Sequence, residues 1–260
     1  MFLGRLSIGL LRVTLLLGAT EAATTGGAIS QVEVLEVGKP LPRVSLLAPA
    51  TRVYLRHKIV GNRRETVDLW RRKISFEDRY GRRLLRIVTR SQSVGDQKFS
   101  QSSEFWFEPE TFRPVSVQHR ITQGGNTAMH AYRYRPDRVE GIPEVHANSQ
   151  KDFVQLTNVA SYYWEADIEL LQTLPLGVGY AVKIPLYEAG PGNHPPRYYR
   201  YKIVGQDSLV SADGHAIDCS IIGIDSDDPH WGPARLWYTR EDQLMIREET
   251  RHKVATIGSV

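Results

Sequence analysis

The chain has 260 residues, 41% of them hydrophobic and 24% charged, with a formal net charge of +4 at pH 7. That is ordinary globular usage and excludes a disordered chain, a collagen repeat and a coiled coil. The single cysteine, Cys219, excludes an intramolecular disulfide and any cysteine-based zinc site.

In chain order, the first 22 residues (MFLGRLSIGLLRVTLLLGATEA) place Arg5 ahead of an apolar run from Leu6 to Ala19, interrupted by Ser7, Arg12 and Thr14. Thr20 and Ala22 supply small residues for a cleavage site after Ala22. This is the pattern of a secretory signal peptide, too short and too poorly flanked for a membrane span. Residues 23–260 are expected to form a single β-rich domain, periplasmic or secreted. No later stretch reaches 18 apolar residues, so no transmembrane segment is expected once the leader is removed.

Beyond the leader the sequence alternates with a period of two, broken by turn residues, which predicts antiparallel strands. Eleven strands are expected. They are Val53 to Ile59, Thr66 to Glu77, Leu84 to Ser93, Ser102 to Phe107, Val115 to Thr122 and Met129 to Arg135. Then come Val178 to Tyr187, Tyr198 to Val204, Ala216 to Ile224, Arg235 to Tyr238 and Met245 to Thr250. Turn chemistry sits at Gly61-Asn62, Gly81, Gly95-Asp96, Gly124-Gly125-Asn126 and Asp213-Gly214. One segment has helical spacing instead. Ala160, Trp164, Ile168 and Leu171 predict an amphipathic helix over Asn158 to Leu174, capped by Asn158 and ended by Pro175 and Gly177. The fold class expected is mainly β, a curved, half-barrel-like antiparallel sheet of about eleven strands packed over one amphipathic helix.

Charge is distributed unevenly. Arg52 to Arg90 holds thirteen Lys/Arg against four Asp/Glu, a local net of +9. Alternation places Leu69, Arg71 and Lys73 opposite Trp70, Arg72, Ile74 and Phe76, and Arg86, Val88 and Arg90 opposite Leu85, Ile87 and Thr89. Clustered guanidinium groups suit phosphate or carboxylate partners through bidentate hydrogen bonds. Arg71, Arg72, Arg86 and Arg90 are therefore the candidate contacts to an anionic partner, the alternative being a solvated face whose cations pair within the chain. Export argues against nucleic acid.

Aromatic residues cluster at Phe105-Trp106-Phe107, Tyr162-Tyr163-Trp164 and Trp237-Tyr238. Ordinary core is one reading. The other is a ligand cavity with Trp106 as floor and Trp164, Ile168 and Leu171 as lid. No metal site is expected: the eight histidines include no His-x-His or His-Glu-x-x-His spacing, and Asp225-Ser226-Asp227-Asp228 lacks the glycine and distal glutamate of a calcium loop. No nucleophile elbow or phosphate-cradling glycine loop occurs, so neither a catalytic residue nor a cofactor is expected. Cys219 lies in the apolar run Ile217 to Ile224 and is expected to be buried and inert.

The strings EFWFEPETFRPVSVQHR, DIELLQTLPLGVGYAVKIPLY, RYYRYKIVGQDSLVSADGHAIDCSIIGID and ARLWYTREDQLMIREE occur in that order. Their order is similar to an uncharacterised family of bacterial periplasmic proteins known only as a domain of unknown function. That family in turn resembles the half-barrel class of outer-membrane lipoprotein carriers. The resemblance spans roughly Leu41 to Glu249 and implies a curved antiparallel sheet that wraps a helix and can enclose acyl chains. The function expected is thus a non-enzymatic periplasmic binding or carrier protein for an amphiphilic or lipid-like ligand. The alternative is an envelope protein–protein interaction module with an acidic protein partner.

Overall fold

The computed structural model describes residues 32–60, 62–79, 81–94, 99–190, 192, 195–225 and 231–252. The proposed leader, the turns at Gly61 and Gly95-Asp96, and the Ser226-Asp227-Asp228 part of the acidic run lie outside the described residues. All eleven expected strands form, and the mainly antiparallel β architecture with one helix is what the chain adopts. Four further strands, each of two to four residues, bring the described total to fifteen, shared between two sheets.

The first sheet is an eight-stranded meander. It runs through β2 (Ala50–Val60), β3 (Arg63–Arg79), β4 (Arg82–Ser93), β5 (Phe99–Phe107), β6 (Pro114–Gln123), β7 (Asn126–Tyr134), β8 (Arg138–Gly141) and β9 (Val154–Leu156). The second is built on β11 (Ala181–Tyr187), β12 (Arg197–Val210), β13 (Ala216–Asp225), β14 (Trp231–Thr239) and β15 (Met245–His252), again antiparallel in sequence order. The two-residue strands β1 (Glu33–Val34) and β10 (Tyr162–Tyr163) both pair parallel with β11, at Val182-Lys183 and at Leu186-Tyr187. Among the described residues no strand of one sheet pairs with a strand of the other, so the sheets do not close into a barrel.

Tight hairpins come from glycines at positive φ: Gly81 (72°) joins β3 to β4, and Gly124 (59°) with Gly125 (89°) joins β6 to β7. Most of the longer strands bury one side. In β4, Leu85, Ile87, Thr89 and Ser91 are buried while Arg86, Val88 and Arg90 face outward. The inward residues of both sheets share one core, which includes Leu85, Phe105 and Val117 from the first sheet and Ile184, Tyr201 and Leu236 from the second.

The helix is shorter than its spacing suggested. Tyr162 and Tyr163 are strand, Trp164–Ala166 is a 3-10 turn, and α1 covers only Asp167–Gln172, preceded by Ala166 and not capped by Asn158. Two adjacent tyrosines favour the extended, half-buried surface that β11 offers, and this tertiary pairing overrides helical periodicity. Ile168 to Gln172 are all buried, so α1 is a core element with no solvent face.

A long connection, 142–153, folds back on β7 and β8. Asn148 pins it: its Oδ1 accepts from the N–H groups of Ala131 and Gln150, and its Nδ2 donates to the carbonyls of Ala131 and Ile142, each at 3.0 Å. At Gly141 a side chain would meet the Gln150 carbonyl oxygen at 1.9 Å, so only glycine admits this close backbone approach.

Candidate functional site

The residues singled out by sequence fall into two groups that the fold separates. Ile168 and Leu171 lie in the shared core. Trp164 is half-buried at its edge, its ring 4.5 Å from that of Tyr199. Trp106 does not join them. Phe105 and Phe107 take the inward positions of β5, and the two-residue period turns Trp106 to the opposite face. There its Nε1 donates to Glu104 at 2.6 Å, and the guanidinium groups of Arg79 and Arg86 cover its ring at 4.5 and 5.4 Å. Among the described residues, Trp106 and α1 therefore do not face a common space that could be a cavity's floor and lid. The space around α1 is occupied by side chains such as Leu85, Phe105 and Leu170, all fully buried.

Arg72 is also corrected. It lies on the inward face with Trp70 and Ile74 and is 0% exposed, as is its partner Glu169 on α1. Its Nε and Nη2 donate to the two Glu169 oxygens at 2.9 and 2.6 Å, and Nη2 also donates to the Glu165 carbonyl at 2.9 Å. The Trp70 ring lies 4.4 Å below the guanidinium. This bidentate pair ties α1 to the first sheet, and no anionic partner from outside reaches it.

Two further polar arrangements inside the protein were not visible in the sequence. Ser103 Oγ lies 2.8 Å from Nδ1 of His119, and Tyr163 Oη lies 2.8 Å from its Nε2. Burial, reinforced by nearby His130, lowers the His119 imidazole to a pKa of about 4, so it is neutral at pH 7. The spacing matches a nucleophile beside a base, but Ser103 is 0% exposed. The second arrangement frames the start of α1. Burial, then Glu188, pushes the Glu165 carboxyl up to about 7, while Gln101 donates to it at 3.3 Å. Burial, then Glu248, pushes Asp167 up to about 7, and Tyr201 donates to its Oδ2 at 2.9 Å.

The other group lies on the outer face of the eight-stranded sheet. Arg86 is engaged there, its Nη1 on Glu77 and its Nη2 on Glu104, both at 3.0 Å. Arg71 and Arg90 are directly opposed across β3 and β4, and the same register row continues through Ser102 to Arg120 on β6. All three arginines are exposed, and among the described residues none forms an ion pair. Like charges facing each other across a ladder are destabilising, so the row costs the fold stability. Next to it on the same face stand exposed aliphatic residues: Val53 (55% exposed) opposite Arg71, and Leu55 (58%) opposite Leu69 (49%). The 142–153 connection hydrogen-bonds to the backbone edge of β7. Sequence alternation pointed to Arg71 and Arg90. Arg120 and the β2 neighbours Val53 and Leu55 were missed because their adjacency depends on register across four hairpins.

Among the described residues, no group of three or more His, Cys, Asp and Glu side chains is placed to hold a metal ion. No described helix is long and apolar enough to cross a membrane. Cys219 is buried, and burial, then Asp207 and Asp218, raises its thiol pKa, which leaves it a poor nucleophile.

A model of a family described as protein of unknown function (DUF3108) matches residues 63–259. No curated protein matches the chain. Among solved structures, the chain is similar to a beta-barrel-like protein of domain of unknown function DUF1849 from Brucella abortus. The identity is 10%, the TM-score is 0.41, and the match covers 79% of this chain and 98% of that one.

Proposed function

The chain belongs to the DUF3108 family of proteins of unknown function, and from that premise we propose that it is a non-enzymatic binding module of the bacterial cell envelope, holding an anionic partner on the outer face of its eight-stranded sheet. The observation that carries this reading is the row of Arg71, Arg90 and Arg120, exposed, mutually repelling and without internal counter-ions among the described residues. Their repulsion is relieved when phosphate or carboxylate groups approach. A ligand enclosed around α1 is disfavoured by the side chains that fill that space. Residues 1–22 support delivery to the periplasm by a cleavable leader.

The test is equilibrium binding to a soluble polyanion such as heparin. Each cation near an anionic surface is worth about 1 kcal/mol, so replacing Arg71, Arg90 and Arg120 together by Gln is expected to weaken binding about a hundredfold. Wild-type affinity is expected to fall steeply with salt, because exposed charges are screened beyond about 8 Å at physiological ionic strength. Equal affinity for wild type and triple variant rejects the proposal.

A further inference from the structure

We infer that the partner of this face is an anionic lipid surface, with Val53, Leu55 and Leu69 entering the headgroup layer while Arg71, Arg90 and Arg120 hold lipid phosphates. The inference rests on the outer-face binding reading above and adds the nature of the partner. Three features of the face carry it. First, apolar and cationic side chains stand in one plane. Val53 is the direct register partner of Arg71, and Leu55 of Leu69, so the aliphatic block abuts the arginine row. Second, the chemistry divides along the sheet. The aliphatic residues lie on β2 and β3, the arginines on β3, β4 and β6, and hydroxyls fill between, with Ser100 and Ser102 on β5 and Thr122 and Thr127 beyond. At about 4.8 Å per strand, the row from β2 to β6 spans roughly 19 Å, wide enough to meet several lipid headgroups at once. Third, the exposed anchors are aliphatic. Hot spots for a protein partner are enriched in Trp, Tyr and Arg seated in pockets, and Trp106 on this face is covered by Arg79 and Arg86. An apolar patch beside unpaired cations is the arrangement that peripheral membrane surfaces use, apolar area supplying depth and cations supplying attraction to anionic lipids.

The experiment is co-sedimentation of the full mature chain with vesicles of phosphatidylglycerol and phosphatidylcholine, with pure phosphatidylcholine vesicles and soluble heparin alongside. Three proteins are compared: wild type, Leu55→Asn/Leu69→Asn, and Arg71→Gln/Arg90→Gln/Arg120→Gln, each checked for an unchanged circular dichroism spectrum. Wild type is expected to bind the mixed vesicles and not the neutral ones. The leucine variant is expected to lose about tenfold in vesicle affinity and keep its heparin affinity, while the arginine variant loses both. If wild type binds heparin but not mixed vesicles, or if the leucine variant binds vesicles as wild type does, the lipid inference is overturned and a soluble acidic partner takes its place. If neither heparin nor vesicles are bound, the outer-face reading falls with it.

Discussion

Breaking the Arg72–Glu169 pair gives the sharpest energetic test of how α1 is held. Both side chains are 0% exposed, and two hydrogen bonds of 2.9 and 2.6 Å join them in a fork. Replacing Glu169 by Leu leaves the Arg72 cation in the core with only the Glu165 carbonyl and the Trp70 ring as partners. Removing one member of such a pair costs about 3–5 kcal/mol, because the charge left behind is uncompensated. At about 2–4 °C per kcal/mol for a domain of this size, the melting temperature should fall by roughly 6–20 °C. Replacing both residues, as Arg72→Met/Glu169→Leu, removes the two desolvation penalties together and should restore much of the loss. Urea denaturation followed by tryptophan fluorescence, with wild type, both single variants and the double, closes the thermodynamic cycle. A Glu169→Leu protein within about 1 kcal/mol of wild type would show that the pair is solvated, and the account of α1 as a buried element would be refuted.

Other consequences follow from the same geometry. Leu171→Ala, at a fully buried site, should cost about 2–5 kcal/mol, read by the same denaturation. Gly141→Ala should also be strongly destabilising, since its methyl would meet backbone at Gln150 and Lys151 that Asn148 holds in place; retention of wild-type stability would show that the 142–153 connection shifts freely. Stability against pH should carry two opposed contributions. Glu165 and Asp167 have raised native pKa values of about 7, so the native state holds protons the unfolded chain has released, and their contribution falls as pH rises from about 4 to 7. His119, lowered to about 4, acts the other way, and its contribution falls as pH drops from about 6.5 to 4. Asp167→Asn should flatten the first slope and His119→Gln the second, measured as ΔG of unfolding across pH 4–8.

Much of the fold was legible because strand periodicity is local. The alternation in Leu84 to Ser93 states which residues are buried without reference to anything else in the chain, and β4 follows it from Leu85 onward, with Leu84 at its start buried as well. The same local signal reports a buried side but not the element facing it, so the division into two sheets was not readable. Strands of two to four residues, such as β1 and β10, exist only because β11 offers them an edge, and two residues carry no period. The helix was over-extended for a related reason: Ala160, Trp164, Ile168 and Leu171 keep helical spacing, while β11 draws Tyr162 and Tyr163 into strand pairing.

The candidate site divides in the same way. Alternation set Arg72 among Trp70, Ile74 and Phe76, which already marked it as inward; grouping it with the surface arginines weighed charge above position. Its partner Glu169 lies 97 residues away and left no local trace. Trp106 likewise alternates with Phe105 and Phe107, so it could not share their side of the sheet. Arg71 and Arg90 were placed outward by alternation, but their direct opposition is a matter of register, which hairpin geometry determines.

Arginine footprinting tests the central claim most directly. The protein is treated with phenylglyoxal, alone and saturated with heparin, and modification at each arginine is quantified by peptide mass spectrometry. In the free protein Arg71, Arg90 and Arg120 should react readily and Arg72 not at all, matching their exposed and buried positions. Polyanion should protect the three exposed arginines and leave others, such as exposed Arg240 in the turn between β14 and β15, unchanged. Protection spread evenly over the surface, or absent from the Arg71, Arg90 and Arg120 row, would contradict the claim that this face is where the protein binds.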